Sequence, residues 1–212
     1  MVTITEYRGP TSEDFANVNA LNTAFLQVTS DLPRQKLQRL AAAPFLLFSF
    51  REDDDEWWHS VLSDDPQQDL IAAATSASSE VRKLQTAGLG FLWQLARRNP
   101  YAARIISGAP VTWCEKLSSQ TLVFLLDRVA ARGDLMISRL ENQEGVWSRL
   151  LGNGTCAERS VRRSSQLSAL QTMLTCTRSV QYGRLSAAAC SMAAPNRQVA
   201  DRNQVRRRQK KV

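Results

Sequence analysis

Apolar residues recur every three or four positions along most of the chain, and proline or glycine interrupts the pattern at short intervals. This spacing places apolar side chains on one face of an α-helix, whereas a half-buried β-strand would need strict alternation. Leu122, Leu125, Leu126 and Val129 show the pattern, and Gly133 ends it. Seven to nine helices with short connections are expected, so we predict an all-α, multi-helix domain in which helices pack on helices.

Two helix starts have the sequence pattern of a capping box. In this motif two residues three positions apart each accept, with the side chain, a hydrogen bond from the backbone N–H of the other. Thr11 and Asp14 have this spacing at the start of a helix predicted over residues 12–29. Thr155 and Glu158 have it before a later run of apolar residues at helical spacing. We expect each box to open a helix.

An internal repeat relates two parts of the chain. Residues 37–62 align without gaps with residues 126–151, an offset of 89, and nine of the 26 positions are identical. Each copy has the pattern of a helix, an apolar segment, an acidic loop and a helix with a tryptophan. Two copies are too few for a solenoid. We therefore predict two related helical halves, with Trp58 and Trp147 in equivalent core roles.

Basic charge is concentrated at the C-terminal end. Residues 161–212 contain eleven Lys and Arg and one acidic residue, whereas the first 160 residues carry 16 basic and 19 acidic groups. The apolar pattern also ends near Cys176. We therefore predict a helical domain over 1–176 and a basic, disordered tail over 177–212, because such a charge distribution is typical of a solvated interaction arm.

The last cations of the tail admit several partners: nucleic acid, an acidic protein or a lipid surface. They could equally serve solubility alone. A cluster of this kind neutralises several phosphates and gives salt-dependent affinity for DNA. No aromatic residue follows Tyr182, so the stacking platforms that help to hold single strands are missing. The cluster consists of Arg206, Arg207, Arg208, Lys210 and Lys211.

Few side chains are available for catalysis or metal binding. The chain has one histidine, His59, and its four cysteines stand 42, 20 and 14 residues apart, without the close pairs typical of zinc sites. Cys114 has no candidate base in a recognisable pattern, so we interpret it as a buried structural residue. Nucleophile and phosphate-binding motifs are absent. We predict a protein that is not an enzyme and has no metal or cofactor.

Two neighbouring clusters have alternative interpretations. The acidic run 52–56 could bind Mg²⁺ or Ca²⁺, or it could place negative charge at the N-terminus of the next helix. Trp57 and Trp58 point about 100° apart on a helix, so both cannot face one core. The repeat favours Trp58 as the buried residue. Trp57 then either covers a seam of the core or anchors a partner protein.

The start of the sequence lacks the basic and apolar regions of a signal peptide. The longest apolar run, 41–50, is broken by Pro44 and is far shorter than the ~20 residues that span a bilayer. The four thiols are then expected to be reduced. We expect a cytoplasmic, bacterial protein whose membrane association would be peripheral only.

Residues 88–130 read GLGFLWQLARRNPYAARIISGAPVTWCEKLSSQTLVFLLDRVA, about a fifth of the chain. An apolar Leu-Gly helix leads to a basic helix and then to helices with leucines at similar intervals. This segment resembles the central part of the accessory proteins of bacterial type III secretion sorting platforms, the YscK/SctK group. The resemblance implies a cytosolic, all-α adaptor without catalytic residues that docks onto other proteins of a larger assembly, and that is tied to nodulation in rhizobial members.

A second, shorter resemblance suggests an alternative function. Residues 40–53, LAAAPFLLFSFRED, are similar to a stretch of the D subunit of the flagellar master transcription regulator. This similarity implies a transcription-linked regulator. The basic C-terminal tail would then be the part of the chain that binds DNA.

Overall fold

The computed structural model describes residues 9–63, 79–132, 135–140 and 143–192. This part of the chain contains nine α-helices and two short β-strands, so the predicted all-α fold is confirmed. The elements are α1 (Ser12–Thr29), α2 (Arg34–Ala41), β1 (Phe48–Ser49), α3 (Asp55–Leu62), α4 (Ser79–Arg98), α5 (Pro100–Ser107), α6 (Val111–Ser119), α7 (Leu122–Arg132), β2 (Ile137–Ser138), α8 (Glu144–Gly152) and α9 (Arg159–Met192).

The chain divides into two compact units, Met1–Thr177 and Arg178–Val212. Residues 193–212, which include all five cations of the predicted arm, lie outside the described residues. The predicted disorder of the tail therefore stays a prediction. Among the helices that are described, none is both long and apolar enough to cross a membrane.

Helix α1 begins at the capping box that the sequence predicts. The Thr11 backbone N–H donates to the Asp14 carboxylate at 2.8 Å, and the Asp14 N–H donates to the Thr11 hydroxyl at 3.3 Å. Asp14 is buried and also pairs with Arg98 at the end of α4. The start of α1 is thus fastened to a helix that lies far away in the sequence.

Acid is expected to weaken this attachment. Burial alone would raise the pKa of Asp14, but hydrogen bonds from Thr11 and the pairing with Arg98 outweigh burial and hold the pKa below its ordinary value of 3.8. Because the folded state favours the carboxylate, its contribution to stability is present at neutral pH and is lost as the pH falls through the lowered pKa. In urea unfolding, the stability difference between wild type and Asp14→Asn should disappear in strong acid. A difference that is constant with pH would contradict this.

Helix α6 starts directly after Pro110, because proline is tolerated at a helix N-terminus. The start of α9 differs from expectation. The prediction that Thr155 and Glu158 form a capping box at the start of a helix is wrong. Thr155 is buried, and its hydroxyl donates to the Leu151 carbonyl at 2.6 Å, so it provides a hydrogen bond to a carbonyl in the last turn of α8. Helix α9 begins only at Arg159.

The two strands are the place where the repeated segments meet. They pair antiparallel, with Phe48 opposite Ser138 and Ser49 opposite Ile137. Ile137 and Ser138 lie 89 residues after Phe48 and Ser49, so each pair becomes the other when the two segments are exchanged. The ladder therefore has a local two-fold relation between the two halves.

The helices on either side of the strands follow the same order. Helices α2 and α7 precede the strands, and the Trp-bearing helices α3 and α8 follow them, starting 89 residues apart at Asp55 and Glu144. At this offset the long helix α1 corresponds to α5 and α6 together. Gly108 separates those two helices, because its backbone is left-handed with φ at 71°, a conformation that glycine adopts readily.

The core is densely packed around strand β1. The Phe48 ring lies 5.2 Å from that of Phe25 and 5.5 Å from that of Phe50, measured between centroids. Helix α4 passes close to this cluster at Gly88, where an added Cβ would lie 2.8 Å from the Phe50 Cζ atom. The glycine therefore allows α4 to approach the aromatic rings.

Candidate docking cleft

Helix α3, the Trp-bearing helix of the first repeat, packs against the core through Trp58. Trp58 is 1% exposed, and its indole N–H donates to the carbonyls of Phe50 and Arg51, each at 3.1 Å. Its ring meets that of Trp113, on α6, edge to face with the centroids 5.3 Å apart. The prediction that Trp58 is the buried member of the pair is confirmed.

Trp57 lies half-buried beside it. The two indoles are 5.1 Å apart and nearly perpendicular, and the Arg51 guanidinium lies 5.7 Å from the centroid of the Trp57 ring. Trp57 packs against the outside of the core. This position agrees with the interpretation that it covers a seam of the core. Its use as a partner anchor stays a prediction.

The acidic run 52–56 leads from β1 into the first turn of α3, and several of its carboxylates are paired with groups of the protein itself. Glu52 is 2% exposed and pairs with Arg139 at 2.8 Å. Asp54 caps α3, and Asp55 pairs with Lys116 of α6 at 3.2 Å. Within the described residues, no group of three or more His, Cys, Asp or Glu side chains is placed to hold a metal ion. The run therefore supplies negative charge at the N-terminus of α3 and one carboxylate to a buried ion pair.

Trp147, the equivalent tryptophan of the second half, has a different environment. It is half-buried at the edge of the core, so the prediction that it shares the core role of Trp58 is wrong. The Trp113 ring packs on the Trp58 indole, whereas the Trp147 indole lines a cleft.

A cleft of about 660 Å³ opens beside Trp147. It lies between α1, the turn after α1, the start of α4, strand β2 and α8. Most of its lining is apolar, and Asp31 contributes a carboxylate. A cleft of this size and character can accept a bulky side chain or one face of a helix. Its apolar lining includes Leu26, Leu32, Val81, Met136, Trp147 and Leu151.

No protein-family model matches this chain, and neither the curated proteins nor the solved structures gave a significant match. The function of the cleft therefore has to follow from the chain's own residues. The most direct internal comparison is with the closed site around Trp58. Trp58 and Trp147 hold equivalent positions in the repeat, but the Trp113 ring packs on Trp58 whereas Trp147 lines the cleft.

Cys114 is buried in α6, as predicted. Burial raises its pKa to about 12, and the Glu52 carboxylate acts in the same direction. Because the thiolate is the reactive form, Cys114 should react with a disulfide reagent at mildly alkaline pH only after unfolding. A variant with serine at Cys156, Cys176 and Cys190 isolates this thiol for the measurement. Rapid stoichiometric labelling of the folded variant would contradict the expectation.

Proposed function

We propose that the protein is a non-enzymatic adaptor that acts by protein–protein contact in the bacterial cytoplasm. The observation that carries the proposal is the open, mainly apolar cleft at Trp147. Apolar surfaces of this kind are typical of interaction sites, and tryptophan is prominent among the residues that dominate binding energy. The Trp113 ring covers Trp58, whereas Trp147, the repeat equivalent of Trp58, lines the cleft.

The resemblance of residues 88–130 suggests the class of partner: proteins of a type III secretion apparatus, in a plant-associated bacterium. In the structure this segment comprises the second half of α4 and helices α5 to α7. Helix α4 packs against each of these three helices and against α1. The segment that carries the resemblance therefore forms the framework of the domain, on which the cleft is built.

Co-expression with the ring and ATPase components of such an apparatus tests the proposal. The full-length protein should retain one of these components on affinity purification. A variant with glutamine at the five tail cations should retain it equally, because the helical body supplies the apolar contact surface. Loss of the component from the tail variant alone would contradict this.

Duplex-DNA titration at two salt concentrations tests the alternative function. If the tail binds DNA, the logarithm of affinity should fall by about 0.9 per neutralised phosphate for each logarithmic unit of salt. The glutamine variant should then lose DNA binding. Tight, tail-dependent binding of DNA at physiological salt, with no secretion component retained, would overturn the adaptor proposal in favour of the regulator.

A further inference from the structure

We infer that the cleft at Trp147 binds an extended segment of a partner protein, which pairs with the outer edge of β2, the edge away from β1, and places an apolar side chain in the cleft. This inference rests on the proposed adaptor function and specifies how the partner is held. It comes from the register of the two-stranded ladder, because the register fixes the direction of each backbone group.

The ladder shows which backbone groups β2 uses to pair with β1. The Arg139 N–H donates to the Leu47 carbonyl at 3.0 Å. The next pair along the ladder is Phe48 with Ser138. Because hydrogen-bonded pairs alternate with non-hydrogen-bonded pairs in an antiparallel ladder, the N–H and C=O of Ser138 point outward, away from β1.

The outer edges of the two strands differ. At β1, the Arg139 guanidinium donates to the Phe48 carbonyl at 2.8 Å. Just before this strand, the Leu46 N–H donates to the Ile106 carbonyl at 2.9 Å. At β2, the part of the chain that the structure describes provides neither a third strand nor a hydrogen-bond partner for the N–H or C=O of Ser138. Strand β2 thus keeps a donor and an acceptor that a further strand can use.

These two backbone groups lie at the wall of the cleft. Ser138 is half-buried and lines the cleft together with Trp147 and Leu151 of α8. An extended segment that pairs with Ser138 directs alternate side chains to one face, so an apolar side chain can enter the cleft. A helix would leave the N–H and C=O of Ser138 unsatisfied, because its own backbone groups are bonded within the helix. The edge therefore favours a strand as the occupant.

Asp31 specifies the charge of this segment. The neighbouring hydroxyls of Thr29 and Ser30 donate to carbonyls of α1, at 2.8 and 2.7 Å. Asp31 lines the cleft and is exposed, and among the described residues it takes part in no ion pair. A lysine or arginine of the partner can pair with this carboxylate. We therefore expect a segment that is both apolar and basic.

A short labelled peptide with blocked ends, in which lysine alternates with valine and leucine, is a suitable probe because it carries both features. Fluorescence anisotropy with the full-length protein should show saturable binding. N-methylation of a peptide amide that pairs with β2 should weaken binding at least about tenfold. Methylation of the next amide should have little effect, since neighbouring amides of a strand point in opposite directions.

Two substitutions of Ser138 locate the binding on the protein. Proline removes the N–H that the partner would use, and an outward-facing position on an edge strand tolerates proline. Ser138→Pro should therefore keep its helical circular dichroism and bind the peptide at least about tenfold more weakly. Ser138→Ala is the matched control, because it removes the hydroxyl but keeps the N–H, and it should bind like wild type.

Hydrogen exchange of the wild-type protein provides a second measurement, should Ser138→Pro fail to fold. Saturating peptide should slow exchange of the Ser138 amide at least about tenfold, because the amide then donates to the peptide. An exchange rate at Ser138 that the peptide leaves unchanged would overturn the inference.

Absence of saturable binding, or equal binding by Ser138→Pro and Ser138→Ala, would also overturn it. So would self-association in analytical ultracentrifugation that Ser138→Pro abolishes, because a second copy would then occupy the edge. The adaptor proposal can be judged separately. If folded Ser138→Pro still retains a secretion component, the adaptor function stands and this assignment of its binding mode is wrong. If the peptide binds as expected but no secretion component is retained, the binding mode stands and the assigned class of partner is wrong.

Discussion

Replacing Trp58 with alanine is expected to lower the free energy of unfolding by about 3–5 kcal/mol. The side chain is fully buried and contacts Trp113, so truncation leaves a cavity that rigid neighbours cannot fill. It also leaves the carbonyls of Phe50 and Arg51 without the indole N–H that they now share. Urea unfolding followed by circular dichroism gives the loss directly.

The adjacent tryptophan provides the matched control. Trp57 is half-buried and makes its contacts on the outer side of the core. Trp57→Ala should therefore cost less than half as much stability as Trp58→Ala. Equal losses for the two variants would mean that the assignment of one buried and one covering tryptophan is wrong.

Replacing Arg139 with methionine is expected to have an effect of similar size, about 3–5 kcal/mol at neutral pH. Its side chain is 8% exposed, and its guanidinium pairs with Glu52 at 2.8 Å and donates to the Phe48 carbonyl at 2.8 Å and the Leu46 carbonyl at 3.0 Å. Methionine fills much of the volume but leaves the Glu52 carboxylate buried and unpaired. The cost of an uncompensated buried charge dominates the expected loss.

A double variant separates this cause from a general packing defect. Adding Glu52→Gln to Arg139→Met removes the orphaned charge, so the double variant should be more stable than Arg139→Met alone. Chemical denaturation of the two single variants and the double variant measures the coupling. Additive losses would show that the ion pair is not what stabilises this region.

The parts of the fold that the sequence predicts correctly depend on local signals. The start of α1 is encoded by Thr11 and Asp14, three residues apart, which form two reciprocal side chain–backbone hydrogen bonds. The burial of Trp58 and not Trp57 follows from helix geometry and the repeat. Such signals act within a few residues or within one repeat unit, so they can be recognised in a single sequence.

The contacts that the sequence does not predict depend on residues far apart along the chain. Arg139 pairs with Glu52 across 87 positions, and no local pattern in the sequence links the two residues. Asn22 is polar, yet it is buried in α1, where it donates to the Phe45 carbonyl and accepts the Leu47 N–H, each at 2.9 Å. Only the assembled fold brings these groups together.

The error at Trp147 has a more specific cause. Identity with Trp58 predicts the same burial only if the groups that pack on the indole are also retained. Trp113, whose ring packs on Trp58, lies outside the two aligned segments. The aligned residues therefore give no signal that Trp147 lines a cleft.

Parallel measurements on Trp58→Ala and Trp147→Ala test most directly whether two equivalent tryptophans serve structure in one half and binding in the other. Each variant is unfolded in urea and, separately, co-expressed with the ring and ATPase components of the secretion apparatus. Trp147→Ala is expected to cost less than half the stability lost in Trp58→Ala and to lose the component that the wild type retains. A Trp147→Ala protein that is as unstable as Trp58→Ala, or one that retains the component like wild type, would contradict this division of roles.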